Sequence, residues 1–263
     1  MININFLHAA TTTMNGVPKI GILVVAYNAE KTLETVLNRI PPNFIPEISA
    51  ILIADDASND FTANVAQQIK KSRIDLPITV IEHQSNLGYG GNQKAGYSWM
   101  IENDMDLVVL LHGDGQYAPE YLPNMIEPIL SLQADVVFGS RMLTRGLALK
   151  GGMPKYKFVG NKVLTFWQNF MAGSKLSEWH SGYRAYSIDS LKNTEFQNNS
   201  DYFDFDTEII LQMLDARQRI VEIPIPTFYG DELSRVNGIK YGWRVAKHTT
   251  KWRIKGRKRA TRI

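Results

Sequence analysis

Five short apolar runs, alternating with amphipathic stretches, constrain this chain to a layered α/β fold. Lys19-Ile20-Gly21-Ile22-Leu23-Val24-Val25-Ala26 is a continuous apolar run, the pattern of a parallel strand covered on both faces. Leu33, Val36, Leu37 and Ile40 follow at helical spacing, and Pro41-Pro42 stops that helix. Further strands are expected over 48–54, 78–81, 106–111 and 135–139, with helices near 63–69, 88–100 and 121–132. Repeated βα units call for a parallel sheet with helices on its faces. The expectation is therefore a mostly parallel central sheet flanked by helices.

Past residue 145 the alternation loosens. Residues 146–157, rich in Gly, Lys and Leu, read as a mobile loop, and 158–172 as a helix. Segments 183–187 and 220–223 are candidate strands, with a helix over 206–214 between them. No repeat, low-complexity stretch or linker divides the chain into two bodies. The reading gives a lead-in over 1–18, a body over 19–238, and a basic amphipathic helix and tail over 239–263.

The absence of cysteine excludes disulfides, thiolate metal sites and cysteine nucleophiles. The first seventeen residues lack Lys and Arg, so a secretory signal is not expected. No stretch reaches the roughly 18 uninterrupted apolar residues of a spanning helix. Residues 240–263 hold ten Lys and Arg and no acid, whereas the rest of the chain holds 19 basic against 26 acidic residues. A polyanionic surface therefore suits the tail alone, and the body is not built to coat nucleic acid. Within the tail, Tyr241, Val245, His248 and Trp252 form one helical stripe, and Arg244, Lys247, Lys251 and Lys255 an adjacent one. Two readings stay open: an interfacial helix on an anionic membrane surface, or a helix docked on the body with a solvated basic face. No nucleic-acid recognition motif accompanies the charge.

Polar clusters sit where strands should end: Ala26-Tyr27-Asn28, Asp55-Asp56, Asn86 to Gly91, His112 to Tyr117, and Gly139-Ser140-Arg141. Any one has a plain reading; Asp55-Asp56-Ala57-Ser58 could simply cap the next helix. Together they would face one crevice, because ligands of open α/β sheets bind beyond the carboxyl ends of the strands. Asn86 to Gly91 lacks both the dinucleotide fingerprint and the Walker spacing. Gly113 and Gly115 let a ligand approach the backbone. Asp114 and Gln116, with His112, offer oxygen and nitrogen ligands suited to Mg²⁺ or Mn²⁺.

The order Val24-Val25-Ala26-Tyr27-Asn28, Ile53-Ala54-Asp55-Asp56-Ala57-Ser58-Asn59-Asp60, Asn86-Leu87-Gly88-Tyr89-Gly90-Gly91 and Gly113-Asp114-Gly115-Gln116 resembles family 2 glycosyltransferases of the GT-A fold, with a Rossmann-like nucleotide-binding half. Within that family it is most similar to the polyprenyl-phosphate sugar transferases, on His180-Ser181-Gly182-Tyr183-Arg184, Phe205-Asp206-Thr207-Glu208 and Glu222-Ile223-Pro224-Ile225. The resemblance runs through the body, from about Lys19 to about Gly238. It implies a donor-binding set of Ala26, Tyr27, Asn28, Glu30, Asp55, Asp56, Asn86, Gly88, Gly91, Lys94 and Gly113. Asp55 and Asp56 would hold base and ribose. Asp114 would be the second acid of the family's Asp-x-Asp metal motif, with Gln116 a further ligand and His112 standing at the first acid.

A diphosphate leaving group gains negative charge as the sugar bond breaks, so cations beside it favour the transition state. Arg141 and Arg184 are the candidate clamp, with Arg235 a third; an arginine simply paired with an acid is the alternative at each. For a hydroxyl acceptor, Asp204, Asp206 and Glu208 are candidate bases; a phosphate acceptor is already anionic and needs none. The implied activity is inverting, metal-dependent transfer from a UDP-, GDP- or dTDP-linked sugar to polyprenyl phosphate or another membrane-linked acceptor. Such an enzyme would be cytoplasmic, peripheral at the inner face of the membrane, and would serve cell-envelope glycan synthesis. The alternatives are a soluble transferase to a glycan or small hydroxyl acceptor, and a non-catalytic nucleotide-sugar binder.

Overall fold

The computed structural model describes residues 16–227 and 238–260, without the side chains of 239 and 255–260; the lead-in over 1–15 and Arg235 lie outside it. Each apolar run is a strand: β1 Ile20–Ala26, β2 Ile48–Asp55, β3 Ile78–Glu82, β4 Leu107–His112, β5 Val136–Ser140, β6 Arg184–Ser187 and β7 Ile220–Pro224. The intervening helices are α1 Leu33–Asn38, α2 Thr62–Ser72, α3 Gly88–Glu102, α4 Leu122–Leu130, α5 Leu147–Lys150, α6 Lys155–Ala172, α7 Ile188–Lys192, α8 Phe205–Asp215 and α9 Gly238–Ala260. Among the described residues the strands form one sheet in the order β3-β2-β1-β4-β6-β5-β7.

β1 shows why the register is fixed. Ile22 and Val24 enter the core layer beneath α1, α2 and α4, while Leu23 enters the opposite layer with Tyr97 of α3 and Ile209 of α8. All three are fully buried. Burying each contributes about 1.5–3 kcal/mol, and a one-residue slip would send every side chain to the wrong layer.

All strand pairs are parallel except those of β6, which runs antiparallel to β4 and β5. A uniform succession of βα units does not anticipate this insertion. The excursion over 141–183 leaves from the end of β5 and returns at the same sheet end, where Arg184 pairs with Leu110 and Phe138. Arg141 and Arg184, 43 positions apart, therefore stand at the same end of the sheet. Within 146–157, read as a mobile loop, the structure has α5 and the first turn of α6. Low apolar periodicity hid both.

α9 settles the open choice about its apolar stripe, which packs on the body. Val245 and Thr249 are buried, Tyr241 bonds His180, and Trp252 Nε1 donates to Asp215 at 2.7 Å. No helix among the described residues is long and apolar enough to cross a membrane.

Candidate active site

The ends of β1, β2 and β4 lie side by side and carry the first half of the site. Asn28, at φ +50°, turns the chain out of β1. Its N–H donates to Ser58 Oγ at 2.8 Å and its Oδ1 accepts from Asn59 N–H at 2.8 Å. The Ser58 hydroxyl donates in turn to Asp55, which also accepts from Ser58 N–H at 3.2 Å. Tyr27 Oη accepts from the Asn59 amide at 3.5 Å, and Glu30 accepts from Phe61 N–H at 3.0 Å. A cleft of about 360 Å³ opens here, lined by Asn28, Ala29, Glu30, Lys31, Thr32 and Asp60. Asp56 accepts the first N–H groups of α3, from Leu87 at 2.6 Å and Gly88 at 3.0 Å. A carboxylate at a helix N-terminus is favourably placed. Burial nevertheless dominates and raises the Asp56 pKa.

The glycine-rich segment packs on the 199–201 backbone. Asn86 donates its amide to the Asp56 carbonyl at 2.9 Å. Gly90 and Gly91 N–H donate to the Asp201 carbonyl at 2.8 and 3.3 Å. A Cβ at Gly88, where φ is +81°, would lie 2.5 Å from that carbonyl, so only glycine fits. Lys94 pairs with Asp201 and donates to the Asn199 carbonyl at 2.9 Å. These residues clamp the 199–201 segment against α3.

The turn after β4 is pinned to β1. Gly113 N–H donates to Val25 O at 2.9 Å, and a Cβ at Gly113 would lie 3.2 Å from that of Ala26. Asp114 is exposed and accepts from Gln116 N–H at 3.0 Å, with Gly115 at φ +79° completing the turn. The His112 ring is wedged edge-on between Tyr89 and Tyr117, at centroid distances of 5.7 and 5.0 Å, over Gly182, where a Cβ would lie 2.8 Å from the ring. Its Nε2 is buried without a hydrogen-bond partner. Burial lowers its pKa against the pull of Asp114 and Asp206, keeping the imidazole neutral at neutral pH. A neutral imidazole, an exposed carboxylate and a side-chain amide are ligand types that fit a hard divalent cation.

The far wall is made of ion pairs. Arg141 binds Glu178 through its backbone N–H at 2.8 Å and Nε at 3.0 Å, and donates Nη2 to the His180 carbonyl at 3.0 Å. Burial pushes Glu178 up, but the Arg141 charge and hydrogen bonds outweigh it and hold the carboxyl below its ordinary range. Arg184 is 1% exposed. It donates to the carbonyls of Ser181 at 3.0 Å, Trp179 at 3.2 Å and Asp206 at 3.2 Å, and pairs with the Asp206 carboxylate at 3.5 Å. Burial disfavours its charge, and Asp206 more than restores it. Asp206 Oδ2 accepts from Tyr89 Oη at 3.0 Å, while Oδ1 is buried and accepts no hydrogen bond. His180 bonds Tyr241 Oη through Nδ1 at 2.8 Å, and burial depresses its pKa to about 4.

α8 splits its three acids. Asp206 faces His112, whereas Asp204 and Glu208 share the face toward α9. His248 lies between them, at 3.2 Å from Asp204 and 2.7 Å from Glu208. These three could hold a cation by spacing, but hydrogen bonds to Asp204 and then Glu208 raise the His248 pKa to about 9. Without a cation between them, the ring is therefore held as an imidazolium by the two carboxylates. Glu208 also accepts from Ser200 N–H at 2.6 Å.

Two participants escape a reading of the sequence. Tyr89, inside the glycine-rich segment, bridges Asp206 and His112. Glu178, the partner of Arg141, ends a 42-residue run without an acid over 136–177, and that isolation was the available signal.

Comparison with known proteins adds lineage to this geometry. The sequence profile of glycosyl transferase family 2 matches residues 21–194. The undecaprenyl-phosphate mannosyltransferase of Micrococcus luteus is 30% identical over 238 residues, 89% of this chain and 94% of that protein. The UDP-N-acetylglucosamine–dolichyl-phosphate N-acetylglucosaminyltransferase of Methanococcus voltae is 27% identical, over 85% of this chain and 92% of that protein. Among solved structures, glucosyl-3-phosphoglycerate synthase from Mycobacterium tuberculosis, in complex with Mn²⁺, uridine diphosphate and phosphoglyceric acid, superposes with a TM-score of 0.67 at 16% identity. That match covers 95% of this chain and 82% of the other.

Proposed function

The chain belongs to glycosyl transferase family 2, and on that footing we propose that this GT-A glycosyltransferase moves a sugar, with inversion, from a nucleotide donor to a polyprenyl phosphate. One observation carries the reading. His112, Asp114 and Gln116 end β4 directly beside β1, and across from them Asp206 holds a buried oxygen without a hydrogen bond. The acceptor class is supported by the relatives, whose names specify undecaprenyl phosphate and dolichyl phosphate. Those names differ in sugar, so donors with UDP, GDP and dTDP all belong in the test.

In this reading Tyr27, Asp55 and the Asn28–Glu30 turn receive the nucleoside, with carboxylate oxygens accepting from base N–H and ribose hydroxyls. Asp114, Gln116 and His112 would hold Mg²⁺ or Mn²⁺, which when bound supplies positive charge at the diphosphate as the sugar bond breaks. Asp56 and Gly88 keep the floor of that pocket rigid. Arg184 orients Asp206 beneath the crevice, and Arg141 holds the His180 segment in place. An acceptor phosphate attacks as an anion, so no base is required. The enzyme would work on the cytoplasmic side, peripheral to the membrane that carries its acceptor.

A hydroxyl acceptor is the second reading, in which Asp206, whose Oδ1 pairs with Arg184 at 3.5 Å, is the carboxylate placed to take a proton. The test offers labelled UDP-, GDP- and dTDP-sugars with Mn²⁺ to polyprenyl phosphate and to soluble glycans, then separates the organic and aqueous phases. Label is expected in the lipid phase. Transfer only to a soluble acceptor, abolished by Asp206→Asn, would replace the first reading by the second, and donor binding with no transfer would leave a binder.

A further inference from the structure

α6 is built inside out. Its polar residues Asn161, Thr165 and Gln168 are buried, and Asn161 donates to Glu178 at 2.8 Å while Gln168 donates to Thr207 at 3.3 Å. Its large apolar residues face outward. Tyr156, Phe166 and Phe170 are 73%, 75% and 71% exposed, and Val159, Val163 and Trp167 are exposed beside them. At 100° per residue these six fall within about 100° of arc, opposite the buried polar face. A water-facing helix has the reverse arrangement. A contiguous exposed apolar patch of this kind marks an interaction surface.

The surrounding charge identifies the partner. Residues 136–177 contain no acid, and Lys155 and Lys162 are exposed along one border of the apolar arc. On the other border lies α9, where Gly242 approaches Leu164. The exposed edge of α9 adds Trp243 and Ile254, with Lys247 at 5.1 Å over the Trp243 ring and Lys251 exposed nearby. Aromatic and aliphatic side chains framed by lysines fit the headgroup boundary of an anionic bilayer. A second copy fits poorly, because a two-fold pair would set this cationic patch against itself.

We propose that the outward face of α6, continued by the exposed edge of α9, docks the enzyme on an anionic phospholipid surface. The inference deepens the polyprenyl-phosphate reading by naming the face turned to the acceptor's membrane. The docking stripe is not the Tyr241–Trp252 stripe of α9, which is spent on the body.

The test mixes the full chain with phosphatidylcholine vesicles, with and without phosphatidylglycerol, and measures co-sedimentation. Binding to the anionic vesicles is expected, weakened by salt and with a shift of tryptophan fluorescence. Phe166→Glu with Phe170→Glu should weaken it about tenfold or more, since each phenyl loses its burial. Lys155→Glu with Lys162→Glu, which touches no packing, should remove the preference for phosphatidylglycerol. Unchanged melting temperatures verify the fold of both variants. Wild-type indifference to anionic vesicles, unchanged binding by both variants, or a dimer that Phe166→Glu dissociates without vesicle binding overturns the proposal. Transfer to a short-chain, water-soluble polyprenyl phosphate separates the two readings. If it persists while vesicles are ignored, docking alone fails; if vesicles bind but no polyprenyl phosphate is glycosylated, the acceptor reading fails and docking stands.

Discussion

At the ends of β1, β2 and β4 Asp55, Asp56 and Asp114 are held by neutral groups, whereas around β5, β6 and α8 the carboxylates Glu178, Asp206 and Asp204 are held by cations. Asp55 is bonded by Ser58, Asp56 by the N–H groups of Leu87 and Gly88, and Asp114 by Gln116 N–H. On the other wall Glu178 meets Arg141, Asp206 meets Arg184, and Asp204 meets Arg244 and His248. Neutral donors orient a carboxylate without cancelling its charge, so the first wall keeps negative potential for a cation and for a ligand's N–H and O–H groups. Ion pairs cancel charge and fix geometry. The same residue types thus keep their charge on one wall and are neutralised on the other, and the partner decides which.

Removing one member of a buried pair should break that comparison most visibly. Glu178→Ala leaves Arg141 charged and buried, with an expected loss of about 3–5 kcal/mol in unfolding free energy. Chemical denaturation measures it, and replacing both partners by leucine should recover much of the loss. A loss below about 1 kcal/mol would mean that Arg141 finds water or another acid, and the wall would not be the rigid strut described.

His248 sharpens the same contrast at the tail. Its folded pKa, about 9, lies above the ordinary 6.5. The stability it contributes is therefore complete below about pH 6.5 and is lost as pH rises through about 9. Because the imidazole is partly exposed, the effect should stay at or below about 1 kcal/mol. Thermal melts across that window should fall for the wild type relative to His248→Gln. Parallel profiles would mean that the His248 charge adds nothing to the other contacts that hold α9.

Strand positions were legible because buried parallel strands read as unbroken apolar runs and their ends as abrupt polar clusters. The placement of β6 was not. Four residues carry no periodicity, and its antiparallel entry depends on where the 141–183 excursion closes. For Arg141 and Arg184 a pairing with an acid was legible as the alternative to a clamp, but the partners were not, since Glu178 and Asp206 approach from distant segments. The glycines of 88–91 read as ligand contacts, yet Gly88 and Gly90 meet the 200–201 backbone, a tertiary clash that no local pattern encodes. α6 was legible as a helix; which face turned inward required knowing that Glu178 and Thr207 wait beneath it.

The account rests on the open wall binding a nucleotide sugar through a divalent cation, and donor-dependent thermal shift tests that most directly. A ligand at about 100 times its Kd stabilises by about 2.7 kcal/mol, well within reach of a melting curve. With Mn²⁺ present, one of the UDP-, GDP- or dTDP-sugars should raise the melting temperature of the wild type. Chelator or Asp114→Asn should abolish the shift without lowering the melting temperature of the free protein. An equal shift in chelator, retained by Asp114→Asn, would contradict the account.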